Sequence, residues 1–138
     1  MHYGCVEPLD LPQIWPQVEP GLARALAVAN GRFSIHQTFI DLATGAKTLW
    51  VAFDDVVRGA VVVEVVAYSG GRKAARLFAV AGTGMKDWSD ALLSMIEAHA
   101  KSNGCSLIEA SGRKGWMRHA VKYGFRAPTI FVEKELTE

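Results

Sequence analysis

Two carboxylates, Glu64 and Glu109, sit inside stretches whose β-branched and apolar surroundings read as strands, at residues 57–68 and 106–110. A carboxylate fixed in a strand can take a proton from an amine, directly or through water, so either residue is a candidate general base. The same residue types also serve as solvated or paired carboxylates on exposed edges. A perturbed pKa separates the two cases, and spacing does not show one. A second candidate site is the run Gly84-Met85-Lys86-Asp87-Trp88-Ser89, which leads into a helix. The first amides of a helix and the positive end of its dipole attract phosphate, and small residues let it approach the backbone. Asp87 opposes such a ligand by its charge and as a competing N-cap, while Lys86 offsets part of that repulsion. Using Gly82-Thr83-Gly84 as the loop would restore small residues but lengthen the turn.

Other groups carry less. Lys114, Arg118 and Lys122 recur every four residues, with Arg113 and Arg126 nearby, and form either a phosphate-binding or a solvated helix face. Without aromatics interleaved as a stacking platform, nucleic acid is not the expected partner. His2, His36, His99 and His119 lack metal-ligand spacing and no cysteine clusters with them, so no metal is expected. Cys5 and Cys105 read as reduced structural thiols. His99 falls on an apolar helix face, and Trp88 and Trp116 open their helices, as anchors to a sheet or as walls of a cleft. No Ser/His/Asp or Cys/His set announces a nucleophile.

The elements that must position these groups follow from periodicity and punctuation. Pro8, Pro12, Pro16 and Pro20 predict short helices broken at bends, with Asp10 as a cap and a helical stretch at 22–29 ending at Asn30-Gly31. Ser34 predicts the N-cap of a helix to Ala43. Strands at 48–53, 57–68 and 74–81, joined at Asp54-Asp55 and Ser69-Gly70-Gly71, form an antiparallel meander. The period then changes to 3.6 for a helix at 88–102, with Asp87 and Asp90 resembling a capping box. A strand at 106–110, a helix at 114–122 stopped by Gly124 and a final strand at 129–134 complete the chain. The fold class is therefore α/β, an α+β mixed sheet: an antiparallel meander followed by strand-helix-strand-helix-strand, with helices on the faces.

Length and composition agree. The 138 residues form one domain, with an N-terminal helical segment at 8–45 and a core at 46–136. Half of the residues are hydrophobic, which excludes intrinsic disorder, and a net charge of +1 provides no global field for polyanions. No apolar run approaches the roughly 20 residues of a membrane span. The first ten residues carry Glu7 and Asp10 and no basic leader, so a cytoplasmic protein is expected.

In element order, over residues 35–136, the chain resembles the GNAT (Gcn5-related) N-acetyltransferase superfamily. The local match is Trp116-Met117-Arg118-His119-Ala120-Val121-Lys122-Tyr123-Gly124-Phe125, similar to that family's helix ending in Gly-Phe. The segment Arg113-Lys114-Gly115-Trp116 looks most like divergent phage- or prophage-encoded members. The resemblance implies acetyl-CoA in a split between the strands at 77–81 and 106–110, with its thioester along Phe78, Ala79 and Val80. Pyrophosphate would sit on the helix N-terminus at Gly84, Met85, Lys86, Asp87, Trp88 and Ser89, and Arg113 is a candidate for the adenosine phosphate. The implied reaction is acetyl transfer to an unknown amine, assisted by Glu64 or Glu109. Two departures stand out. The family's Gln/Arg-x-x-Gly-x-Gly/Ala pattern finds neither glycine here, and Ala120 occupies the position of a thiolate-protonating Tyr, for which Tyr123 faces the wrong way. These losses motivate an alternative, a non-catalytic GNAT-fold protein, virion-associated if phage-derived, that acts through protein partners.

Overall fold

A computed structural model describes residues 1–137. Five strands form one sheet in the order β1 (His2–Cys5), β2 (Thr48–Phe53), β3 (Val57–Ala67), β4 (Lys73–Gly82) and β5 (Leu107–Ala110). The first four are mutually antiparallel, and β5 joins β4 in parallel after the crossover helix α3 (Met85–Ser102). Helices α1 (Leu11–Ala27) and α2 (Ile35–Ala43) cover one face and α3 covers the other. The consecutive valines of β3 show why: Val62 points to the α1 side and Val61 and Val63 to the α3 side, all within 5 % exposure. A strand buried on both faces reads as a continuous apolar run.

The mixed sheet, the meander and the Ser34 N-cap, whose Oγ accepts from Gln37 N–H at 2.9 Å, agree with the sequence reading. Four features differ. The prolines do not break the N-terminal helix, since α1 runs unbroken for 17 residues. Pro12, Pro16 and Pro20 follow a four-residue step along its exposed side, so the carbonyls they leave without partners face water. Leu11, Val18, Leu22 and Leu26 on another face anchor it to the sheet, each buried leucine contributing about 1.5–3 kcal/mol. The expected strand at 129–134 is not one. The additional strand is β1 instead, whose backbone pairs with β2 although its residues, His-Tyr-Gly-Cys, carry little strand propensity. The helix expected at 114–122 is two 3-10 turns around one α-turn, α4 (Met117–Ala120). Finally, α3 starts at Met85 on Gly84, whose φ of 64° breaks the strand direction. Asp87 is therefore its third residue, not its cap.

Candidate functional site

β4 and β5 run side by side only from Ala74 opposite Leu107 to Leu77 opposite Ala110. Beyond that the chain after β5 turns away, and the last residues of β4, from Phe78 to Gly82, keep β3 on one side and, among the described residues, no strand on the other. Alternate backbone groups of such a stretch face the gap. Phe78 is also the extra residue of a bulge, because Val62 pairs with Ala79 and Val63 with Leu77. The bulge puts Phe78 and Ala79 on the α1 side together, with Val80 on the α3 side. The crevice thus opens at the carboxyl ends of two parallel strands, where the order of connection switches, and α3 starts at its upper end.

The turn into α3 is closely packed. A Cβ on Gly82, at φ 134°, would meet Arg58 O at 2.3 Å, and Thr83 N–H donates to that same oxygen at 3.0 Å. Trp88 is 2 % exposed, donates Nε1–H to Thr83 O at 2.9 Å and lies on Gly59, where a Cβ would come within 2.4 Å of its ring. Its indole is an anchor and not a cleft wall. Among the described residues no side chain caps the α3 N-terminus, so Asp87 does not fill its own cap. Its carboxylate leans over Gly84, with Oδ2 at 3.3 Å from where a Cβ would stand, and its carbonyl accepts from Tyr3 O–H at 3.3 Å. Met85 packs into the core on the α3 side, Lys86 is exposed, and Ser89 Oγ donates to Met85 O. Tyr123 faces Asp90 and Ser89, and the Asp90 carboxylate raises its phenol pKa. Ala120 is buried and brings no hydroxyl.

On the α1 side, next to Phe78, the two candidate carboxylates meet in one network. Glu64 Oε1 accepts from Arg76 Nη1 at 3.0 Å, and its Oε2 pairs with Lys47 Nζ at 3.2 Å. Lys47 also bonds Asp41 Oδ2 at 2.7 Å and lies 4.6 Å from the centre of the Phe78 ring. Glu109 Oε1 accepts from Tyr68 O–H and from Arg76 Nη2 at 3.3 Å, and Arg76 Nη2 donates to Tyr68 Oη at 3.0 Å. Burial would lower the Lys47 pKa, but the bonds to Asp41 and Glu64 outweigh it and hold the ammonium above its ordinary value. Arg76 is raised in the same way, against burial, by Tyr68, Glu109 and Glu64. Lys47, with Gln37 after it, holds Asp41 below the usual carboxylate range. The two glutamates therefore differ. Both oxygens of Glu64 carry cations, whereas Glu109 Oε2 has no partner among the described residues.

Lys47, Tyr68 and Arg76 escaped the sequence reading, although one signal was available. A turn centred on Gly70 puts Ala67 opposite Lys73, and counting back along both strands sets Glu64 opposite Arg76, as observed. Arg113, Lys114, Arg118 and Lys122 are exposed and make no ion pair among the described residues. His99 is half-buried with its ring 5.1 Å from that of Trp50. No group of three metal-ligating side chains comes together among the described residues.

No protein-family model and no curated protein sequence matches the chain. Solved structures do. A predicted acetyltransferase from Clostridium acetobutylicum, solved with acetyl-CoA, superposes with a TM-score of 0.70 at 11% identity, over 97% of this chain and 95% of that one. An aminoglycoside acetyltransferase from an uncultured soil metagenomic sample gives 0.71 at 12% identity, over 99% and 98%. The fold is that of the GNAT acetyltransferases. A ribosomal-protein-alanine N-acetyltransferase from Brucella melitensis biovar Abortus 2308 covers both chains completely, with a TM-score of 0.64 at 13% identity. At 11–13% identity over nearly the whole of both chains, the fold agrees where the sequence does not.

Proposed function

We propose that this GNAT-fold chain moves an acetyl group from acetyl-CoA to an amine. The observation that carries the reading is the crevice: among the described residues, β4 has one free edge at Phe78, Ala79 and Val80, which continues into a helix N-terminus without a side-chain cap. The residues present fit the donor. Free backbone groups of the strand can align an amide-bearing thioester arm, and the first amides of α3 can take a pyrophosphate. Lys86 in the first turn of α3 supplies positive charge, and Asp87 beside it opposes it. The bound thioester supplies an activated acyl carbon.

Glu109 acts on the acceptor. Its free Oε2 takes a proton from the attacking amine, directly or through water, while Arg76 and Tyr68 hold Oε1 and fix the carboxylate. With the donor held there, an N–C bond would form as the C–S bond breaks, with the amine proton going to Glu109 and the thiolate leaving. With Ala120 in place of a hydroxyl donor, water protonates that thiolate. Glu64, bound at both oxygens, holds Lys47 and Arg76 and so positions the site.

Thermal unfolding with increasing acetyl-CoA tests the reading. At about 100 times the dissociation constant the ligand stabilises the protein by roughly 2.7 kcal/mol, which raises the melting temperature by several degrees. Absence of a shift at millimolar concentration would overturn the reading. It would also favour the second one, a GNAT-fold protein acting through protein partners, for which the Asp87 carboxylate over Gly84 and the buried Ala120 speak.

A further inference from the structure

Five cations take no part in the site described above. Between Ser111 and Val132 the chain carries Arg113, Lys114, Arg118, Lys122 and Arg126 and no carboxylate, whereas its other ten cations stand against fourteen carboxylates. A net charge of +1 thus hides a segregation, +5 within this segment and −4 over the rest of the chain. All five are exposed, and none pairs with a carboxylate among the described residues. Helical backbone runs through residues 114–123, with Trp116 and Met117 half-buried and Ala120 buried against the protein. Lys114, Arg118 and Lys122 come out on the water side, each roughly 6 Å further along the axis. Arg113 stands at the start of the run, and Gly124, at φ 87°, ends it just before Arg126. Like charges held together without partners repel one another, and a polyanion relieves that repulsion. We propose that this run is a docking surface for the phosphate backbone of duplex DNA.

What lies between the cations selects this occupant. A protein partner is held by buried aromatic and aliphatic anchors, and the exposed neighbours here are Gly115, His119 and Val121. A single strand is held by stacking on aromatic rings, and the rings of this segment are engaged elsewhere. Trp116 is half-buried, Tyr123 faces Asp90 and Ser89, and Phe125 packs into the core on the α3 side. Duplex RNA is gripped largely through its 2′-hydroxyls, for which His119 is the one free polar side chain of the run. Duplex DNA asks for cations alone: it carries one negative charge per roughly 1.7 Å of axis, and lysines and arginines that neutralise it release counterions whatever the base sequence. The lack of a stacking platform therefore speaks against a single strand and not against a duplex. The −4 of the remaining surface turns the other faces away from the same polyanion.

Fluorescence anisotropy of a labelled DNA duplex of about 20 base pairs, titrated with the purified full chain, tests this without acetyl-CoA, so its outcome is independent of the acetyl-transfer reading. The expected dissociation constant at about 50 mM salt is on the order of 10⁻⁵ M, and log K falls against log salt concentration with a slope between about −2.7 and −4.5, for three to five phosphates. The triple substitution Lys114→Gln, Arg118→Gln, Lys122→Gln, at exposed positions without ion-pair partners among the described residues, leaves the unfolding midpoint in place, flattens that slope by about 2.7 and weakens binding by about tenfold or more. Lys101→Gln, at an exposed lysine of α3 outside the run, changes neither. Absence of binding at about 100 μM chain and 50 mM salt overturns the proposal. Binding that survives the triple substitution, or that falls as much with Lys101→Gln, also overturns it, because the contact then lies elsewhere or is not local. Equal affinity for a polyglutamate of the same length overturns it in favour of an acidic protein, and tighter binding of single strands or of duplex RNA overturns the choice of duplex DNA.

Discussion

At the scale of single residues, two glutamates that look alike in sequence have different surroundings and different expected roles. Glu109→Gln removes the free carboxylate oxygen and should lower kcat by about 10²–10⁴-fold with little loss of stability. An unchanged kcat would exclude Glu109 as the base. Glu64→Gln instead keeps one acceptor oxygen and turns an NH2 toward the other cation, so either Lys47 or Arg76 loses its partner, which should cost on the order of 1–3 kcal/mol of stability, read by denaturant unfolding. Asp87→Gly removes a carboxylate from beside the α3 amides, so it should tighten acetyl-CoA binding in calorimetry; equal or weaker affinity would count against that docking site. The Lys47–Asp41 pair has a pH signature. The Asp41 pKa is lowered on folding, so its stabilisation is present above its unfolded value of about 3.9 and lost as pH falls through the lower folded value. The Lys47 pKa is raised, so its share is present below about 10.4 and lost as pH rises through the higher folded value. The stability difference between wild type and Lys47→Met should therefore be flat near neutrality and shrink in acid and in alkali; a difference independent of pH would sink this account.

At the scale of elements, the crevice depends on how the turn between β4 and α3 is held. Trp88 fills the space that Gly59 leaves open, and the Gly82 backbone lies against Arg58 O. Gly59→Ala should force the indole to shift, costing about 1–3 kcal/mol by overpacking, and should lower the affinity for acetyl-CoA at the same time. Normal binding in a destabilised Gly59→Ala variant would show that the turn geometry does not control the site. The meander, the Ser34 cap and α3 were legible because each is a local pattern: alternation, a capping residue, a period of 3.6. The unbroken α1 was not. Its prolines are tolerated because they fall on an exposed stripe while Leu22 and Leu26 hold another side, and that follows from where the sheet lies.

At the scale of the whole molecule, two ends of the chain exchanged expected roles: β1 joined the sheet, and residues 129–134 did not pair within it. The first pairing completes a sheet between α1 and α2 on one side and α3 on the other. The second leaves β5 as an edge strand of the sheet. No described helix is long and apolar enough to cross a membrane.

The residue order alone was sufficient for the class of fold, the three-stranded meander and the crossover helix, because periodicity and turn chemistry act within a few residues of chain. It was also sufficient to mark Phe78 to Val80 and the start of α3 as a candidate ligand site, through a resemblance that the superpositions support as a fold. Tertiary structure decided which glutamate keeps a free oxygen, that Trp88 is an anchor, that Asp87 leaves the helix uncapped and which terminal segment enters the sheet. Each of these rests on groups far apart in sequence, Tyr68 with Glu109 or Tyr3 with Asp87, whose approach is set by strand register and packing.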